Sequence, residues 1–139
     1  MTYTEETWPK DRWPNFSFKE MACQHSGICD IDEAFMDKLQ ELRTRTGFGL
    51  TVSSGYRDKT HPIEAEKISK TGNGGAHTTG KAVDLKVARD KAYMVLLHAL
   101  NLDFTGIGVA QTGEARFLHL DNIQPEDNFH VPRPTVWSY

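Results

Sequence analysis

This chain has few cysteines and no long apolar segment. Two cysteines in 139 residues are too few for a disulfide framework. The longest apolar run lies around Met94–Leu100, far short of the roughly 20 residues that a membrane-spanning helix needs. The segment Met1–Phe16 is polar and charged, unlike a signal peptide. We therefore expect a protein that is made in the cytoplasm and does not enter a membrane.

The chain also lacks a strong excess of charge of either sign. Its 16 basic and 19 acidic side chains give a net charge of -3, too weak for a general electrostatic attraction to nucleic acid or to an anionic membrane. The content of 38% hydrophobic and 25% charged residues is typical of a globular protein. The length predicts one domain over residues 1–139, with an N-terminal arm (1–15) and a C-terminal segment (122–139) that wraps the surface. We expect a monomer.

Apolar periodicity predicts two helices, one from Asp30 or Asp32 to Gly47 and one over Arg89–Asn101. Between and after them lie four strand-prone segments, of which the last two form a hairpin: Leu50–Ser54, Ala82–Val87, Gly106–Ala110 and Ala115–Asp121. The pattern predicts an α+β fold with a small antiparallel sheet and helices on one face.

Two segments lack this periodicity. Residues 58–75 contain His61-Pro62 and a glycine cluster, which predict a long loop. The last residues contain three prolines, which favour a surface wrap over a strand, with Trp137 and Tyr139 packing back as anchors.

Two imidazoles and one carboxylate, those of His77, Asp84 and His119, are candidate metal ligands. A structural zinc site is usually closed by four protein ligands, whereas a hydrolytic site has three N/O ligands and a water. Asp84 lies between Val83 and Leu85, where a carboxylate is costly unless it is paired or metal-bound. We predict one catalytic zinc ion, with a buried salt bridge as the alternative for Asp84.

A second cluster, Cys23, His25 and Cys29, has the form Cys-x-His-x3-Cys. It offers only three ligands at an unusual spacing, so a reduced, partly buried pair or a local disulfide stands beside a second zinc as an interpretation. His61 and His130 lack ligand-spaced partners and are predicted to lie in loops or on the surface, with a role beside the cleft open for His61.

Three short motifs follow one another along the chain: Ser-Gly-Tyr-Arg at Ser54–Arg57, His-x-x-Gly-x-Ala-x-Asp at His77–Asp84, and Phe-Leu-His-Leu-Asp at Phe117–Asp121. Together they resemble the motifs of the zinc D,D-peptidases, or hedgehog-like zinc peptidases. That family includes D-alanyl-D-alanine carboxypeptidases, the dipeptidases of vancomycin resistance and phage L-alanyl-D-glutamate endolysins. One departure is Gly75, where relatives often carry serine.

The resemblance implies that His77, Asp84 and His119 bind zinc and that a water completes its coordination. It implies that Arg57 holds a substrate carboxylate or the oxyanion formed during hydrolysis. From the residues alone, Arg57 has a structural alternative, an ion pair with one of three nearby carboxylates: Asp58, Glu64 or Glu66.

The general base departs from the family pattern. Many relatives have a glutamate three residues before the last zinc histidine or a histidine two residues before it, and this chain has Arg116 and Phe117 there. Alternation along a strand places Asp121 on the same side as His119, so Asp121 is the first candidate for the base or for orienting that histidine. Glu114, at the hairpin tip, is the second candidate.

The function that the resemblance implies is zinc-dependent hydrolysis of a peptide bond in peptidoglycan stem peptides, by a D,D-carboxypeptidase or an endolysin-type endopeptidase. Such a protein acts at the bacterial cell wall, and a phage-encoded form is released by lysis or carried in a virion. The alternative is a non-catalytic zinc-containing domain of the same fold that binds the cell wall or forms part of a virion. The missing base residues keep this alternative open.

Overall fold

The computed structural model describes residues 1–139 and contains four α-helices and seven strands. The helices are α1 (Phe18–Met21), α2 (Glu33–Thr46), α3 (Pro62–Thr71) and α4 (Arg89–Asn101). The strands are β1 (Thr2–Tyr3), β2 (Cys29–Asp30), β3 (Thr51–Ser54), β4 (Ala82–Lys86), β5 (Gly106–Ala110), β6 (Phe117–Asp121) and β7 (Thr135–Ser138). None of the helices combines the length and the apolar composition that crossing a bilayer requires.

The two helices predicted from periodicity are both present. The carboxylate of Asp32 caps α2 by accepting a hydrogen bond from the backbone N–H of Phe35, and the helix ends at Gly47 with φ 73°. Helix α4 has the predicted bounds. Helix α4 packs on β6, and α2 packs against α4. These contacts place the main core between the helices and one face of the sheet.

A five-stranded sheet in the order β3-β4-β6-β5-β7 separates this core from the candidate site. The first four strands are antiparallel neighbours, and β7 runs parallel to β5. Side chains alternate along each strand, so buried Val83, Leu85, Leu118 and Leu120 face the core. The opposite face carries a row of directly paired residues across four strands: Asp84, His119, Gly108 and Trp137. The predicted α+β class, antiparallel sheet and helices on one face are confirmed.

The prediction that the C-terminal residues wrap the surface without joining the sheet is wrong. Residues 122–134 leave the sheet, but β7 pairs with Gly106–Val109 as an edge strand. All three prolines precede β7, so none interrupts its hydrogen bonds. The anchors behave as predicted, because the Trp137 ring lies against His119 and the Tyr139 ring against Phe117.

The prediction of a long loop over residues 58–75 is also wrong, because this stretch contains α3. Pro62 occupies the start of the helix, where no backbone N–H is needed, and Nδ1 of His61 accepts a hydrogen bond from the backbone N–H of Ile63. Gly72 ends the helix with φ 80°. Glu64 is the one buried residue of α3, so the helix has no apolar stripe to reveal it.

The N-terminal residues pack into the protein. Trp13 is fully buried, and Tyr3 and Trp8 lie in the same core cluster. Arg12 binds Asp37 of α2 through two hydrogen bonds. The arm therefore adds aromatic core contacts to α2.

Gly80 joins the turn that carries His77 to the strand that carries Asp84. Its φ is +74°, a conformation that side chains with a Cβ adopt only with strain. A Cβ at this position would also lie 2.3 Å from the backbone oxygen of Asp30. Both constraints require glycine.

We expect Gly80→Ala to lower the free energy of unfolding by about 3 kcal/mol or more, since left-handed strain and a backbone clash add together. Gly72→Ala is the matched control, because its φ is +80° but nothing lies within 4 Å of its added Cβ. The control should lose only about 1–2 kcal/mol. Urea unfolding of both variants measures the difference, and equal losses would contradict the steric argument.

Candidate metal centre

Three sequence-predicted ligands converge on the sheet face opposite the core. The candidate ligand atoms of His77, Asp84 and His119 all lie within 4.8 Å of one another. Oδ1 of Asp84 lies 3.3 Å from Nε2 of His77 and 3.0 Å from Nδ1 of His119. Both imidazoles are buried, and Asp84 is partly exposed. The fold thus forms a compact set of two nitrogens and one oxygen.

Different elements bring the three residues together. Asp84 and His119 are direct partners in the register of β4 and β6. His77 lies in a 3-10 turn, Ala76–Thr79, that precedes β4, and Gly80 reverses the chain between them. The ligands therefore converge only when β4 and β6 are paired.

A backbone carbonyl fixes the orientation of His77. Nδ1 lies 2.7 Å from the carbonyl oxygen of Gly55. A carbonyl oxygen can only accept a hydrogen bond, so Nδ1 must carry the proton. In the neutral ring, Nε2 then offers its lone pair toward Asp84.

A buried carboxylate fixes His119 in the same way. Nε2 of His119 donates to Oδ2 of Asp121 over 2.7 Å. Arg133 holds that carboxylate from the other side with a two-bond fork, Nε to Oδ1 at 2.9 Å and Nη2 to Oδ2 at 2.8 Å. In the neutral ring, Nδ1 of His119 offers its lone pair toward Asp84.

When both rings are neutral, the three atoms that face one another are thus all acceptors, and they repel unless a proton on an imidazole or a metal ion lies between them. Two imidazole nitrogens and one carboxylate oxygen are the donor set of a catalytic zinc site. Hydrogen bonds on the far side of each imidazole are the usual support of zinc ligands. The residues therefore fit a zinc ion.

The electrostatics of the site also favour positive charge between these groups. Burial alone would raise the pKa of Asp84, but the hydrogen bonds from His119 and His77 and their charges hold it well below its usual range. Burial alone would lower the pKa of His119, but Asp121 and Asp84 raise it above the usual value. Two carboxylates thus stabilise a cation at the centre.

Asp121 is fully enclosed. Oδ1 accepts from Arg133 and from the backbone N–H of Ile123, and Oδ2 accepts from Arg133 and His119. The neighbouring strand leaves room for the carboxylate because it has glycine there: a Cβ on Gly106 would lie 2.2 Å from both carboxylate oxygens. The contacts fit an orienting role for Asp121 better than that of a base exposed to substrate.

The other two candidates from the sequence lie in different surroundings. Arg57 lines the cleft, and its Nη1 donates to Oε2 of Glu64 over 3.2 Å. Of the three carboxylates considered as ion-pair partners, Glu64 is thus the one that Arg57 contacts. Glu114 is exposed at the turn between β5 and β6 and does not line the cleft.

The cleft beside the metal site has a volume of about 610 Å³. It is lined by residues from two regions, Arg57 to Asp84 and Phe117 to Tyr139. The Trp137 ring lies 5.1 Å from the His119 ring, in space that Gly108 leaves open. Trp137 lies on β7 and Tyr139 directly follows that strand, two residues apart, a spacing that would have placed them on one face. Nothing in the sequence marks Arg133 as the partner of Asp121.

The C-terminal segment also contributes His130. This residue is exposed, as predicted, and it also lines the cleft. Its ring packs on Phe129 at 4.2 Å between centroids. The segment thus adds an imidazole that the sequence patterns did not connect with the site.

The second metal cluster is not formed. Cys23 and Cys29 are both buried and unbonded to each other, which excludes the local disulfide. The set of His77, Asp84 and His119 is the one group of three close candidate ligands in residues 1–139. The reduced, buried pair is the interpretation that the structure supports for the cysteines.

Comparisons with known proteins give one match. The profile of the Peptidase M15 family matches residues 14–121, a region that contains all three candidate ligands and Asp121. No curated protein and no solved structure matches the chain. The match covers most of the chain and confirms the resemblance that the three motifs indicated. The chain belongs to the Peptidase M15 family of zinc-dependent metallopeptidases.

Proposed function

We propose that this chain uses one zinc ion, held by His77, Asp84 and His119, to hydrolyse a peptide bond in the stem peptides of peptidoglycan. The observation that carries the proposal is the convergence of three acceptor atoms within 4.8 Å, with both imidazoles oriented from behind. The substrate class rests on the resemblance to zinc D,D-peptidases. A D,D-carboxypeptidase and an endolysin-type endopeptidase are the two forms of this activity.

When bound, zinc would polarise a peptide carbonyl and make a water molecule nucleophilic at neutral pH. The residues around it have separate tasks. Gly55 and Asp121 hold the two imidazoles in position. Arg57 uses one side-chain hydrogen bond within the protein, so its other N–H groups remain for a carboxylate or a developing oxyanion.

The lining of the cleft suits a short peptide with acidic groups. Three cations line it together with aromatic rings of the C-terminal region: Arg57 and Lys67, and Arg133, which is paired with Asp121. Stem peptides carry free carboxylates beside apolar alanine side chains, and the two kinds of lining match these two kinds of group. This complementarity supports the proposed substrate class.

We assign the handling of protons to His130. Both carboxylate oxygens of Asp121 already accept hydrogen bonds from protein donors, and Glu114 lies outside the cleft. His130 is the one histidine in the cleft lining besides the two ligands. Imidazole is the side chain most often used for general acid–base catalysis.

The first test is the activity itself. We expect the zinc-loaded protein to release new amino groups from purified murein, and we expect chelation or His119→Ala to abolish this release. His98→Ala is the matched control, because His98 lies on α4 and does not line the cleft. Mass spectrometry of the products from a synthetic stem pentapeptide identifies the bond. Stoichiometric zinc without cleavage would instead favour the non-catalytic binding domain.

A second test separates orientation from base catalysis at Asp121. We expect Asp121→Asn to weaken zinc binding about 10–100-fold, because the carboxylate that fixes His119 is lost. Competition with a chromophoric chelator measures the affinity, and Asp90→Asn, an exposed change on α4, is the control. An unchanged zinc affinity with a lost kcat would show that Asp121 is the base.

A third test addresses His130. We expect His130→Gln to lower kcat roughly 10²–10⁴-fold while zinc affinity is retained, since the residue would transfer protons and would not bind the metal. The pH profile of kcat should lose one limb. His25→Gln, at another exposed histidine, is the control. Full kcat in His130→Gln would contradict the assignment.

A further inference from the structure

A fully buried carboxylate lies in the most exposed helix of the fold. Glu64 is 0% exposed, although the other residues of α3 are exposed or half-buried. Oε1 accepts a 2.7 Å hydrogen bond from the backbone N–H of Gly75, and Oε2 accepts a 3.2 Å bond from Nη1 of Arg57. The ammonium group of Lys67 lies 3.9 Å from Oε1. Each oxygen therefore has a defined partner on the wall of the cleft.

Such a carboxylate is costly to bury unless its partners compensate for lost hydration. Burial alone would raise the pKa of Glu64, but the Gly75 N–H and the charges of Lys67 and Arg57 lower it, so the group stays ionised. An apolar side chain would close this part of α3 at lower cost. The charge therefore has a use beyond packing.

Both hydrogen-bond partners of Glu64 belong to the site. Gly75 begins the turn that carries His77. Arg57 lines the cleft, and its backbone N–H donates to the carbonyl of His77 over 3.2 Å. One carboxylate thus connects the turn that carries a candidate metal ligand with a guanidinium group of the cleft wall.

The glycine at position 75 is part of the same arrangement. A Cβ there would lie 2.7 Å from Nζ of Lys67 and 3.0 Å from Oε1 of Glu64. A side chain at this position would press on the carboxylate, so glycine leaves the space that Glu64 occupies.

We propose that Glu64 is a positioning residue: its carboxylate fixes the Arg57 guanidinium on the cleft wall so that the remaining N–H groups meet a carboxylate or carbonyl oxygen of the substrate. The inference rests on the proposed function for the identity of that substrate. Glu64 itself does not line the cleft, and it acts through Arg57.

Glu64→Gln is the sharpest variant, because the amide oxygen can still accept from Gly75 while the charge that holds Arg57 is removed. Glu66→Gln is the matched control: Glu66 lies on the same helix, is exposed and pairs with Lys70. Arg57→Ala and the double variant Arg57→Ala/Glu64→Gln complete a double-mutant cycle.

Two properties are measured in every variant. The first is the Kd of a synthetic stem pentapeptide for zinc-depleted protein by calorimetry, compared with the same peptide after amidation of its carboxylates. The second is kcat and KM of the zinc-loaded protein. Zinc affinity and melting temperature serve as checks on the fold.

We expect Glu64→Gln to weaken binding of the carboxylate peptide roughly tenfold, with little change for the amidated peptide and for the Glu66→Gln control. In the Arg57→Ala background the same substitution should change Kd by less than about twofold, because its effect acts through Arg57. In the zinc-loaded protein we expect the loss mainly in KM.

An equal loss with and without Arg57, or for both peptides, would overturn the proposal, because Glu64 would then be only a structural residue. Coupling in Kd without turnover by the wild type supports the positioning role and overturns the proposed hydrolysis. Wild-type protein that neither binds nor cleaves the peptide overturns both. If Glu64→Gln does not fold, Glu64→Asp, which keeps the charge with a shorter reach, replaces it in the cycle with the same expected result.

Discussion

The structure depends on one electrostatic constraint, the meeting of three acceptor atoms on one face of the sheet. His77, Asp84 and His119 direct two nitrogens and one oxygen into a space 4.8 Å across. With neutral imidazoles these atoms repel one another until a cation lies between them, and the protein fixes each imidazole from behind so that neither can turn away. The surrounding contacts matter because they maintain this arrangement, which a metal ion stabilises and a relaxed set of side chains would not.

The sheet has room for these contacts because β5 has glycine at two positions on this face. Gly106 lies opposite Asp121, and Gly108 lies opposite His119 on one side and Trp137 on the other. A Cβ on either glycine would collide with the neighbour, at 2.2 Å and 2.7 Å respectively. Side chains from the strands on either side occupy the space above these glycines. The carboxylate of Asp121, which orients His119, lies over Gly106, and the indole ring of Trp137, which packs against His119, lies over Gly108. The apolar face of β5 meanwhile contributes ordinary core residues.

The grouping of the candidate metal ligands could be predicted because a strand with apolar neighbours leaves few reasons for a carboxylate such as Asp84, and because the motifs occur in order. Helices α2 and α4 followed from their apolar stripes. Helix α3 could not be predicted in this way, since its one buried residue is a charge and it therefore has no apolar stripe. The pairing of Asp121 with Arg133 spans a segment that contains only a short 3-10 turn, Pro125–Asp127, and no spacing rule connects two residues across such a segment.

The C-terminal segment completes the site from outside the region that the family profile matches. Residues 14–121 contain every candidate metal ligand, whereas Arg133, Trp137 and His130 all follow that region. Without Arg133, Asp121 would be a buried carboxylate with no cation other than the imidazole that it orients, and a carboxylate of that kind is costly. The same segment places an imidazole in the cleft of a chain that has Arg116 and Phe117 where relatives have a base. The departure from the family pattern on β6 and the contribution of the C-terminal segment are therefore best understood together: the matched region supplies the candidate metal ligands, and the segment that follows supplies Arg133, which holds Asp121, and an imidazole in the cleft.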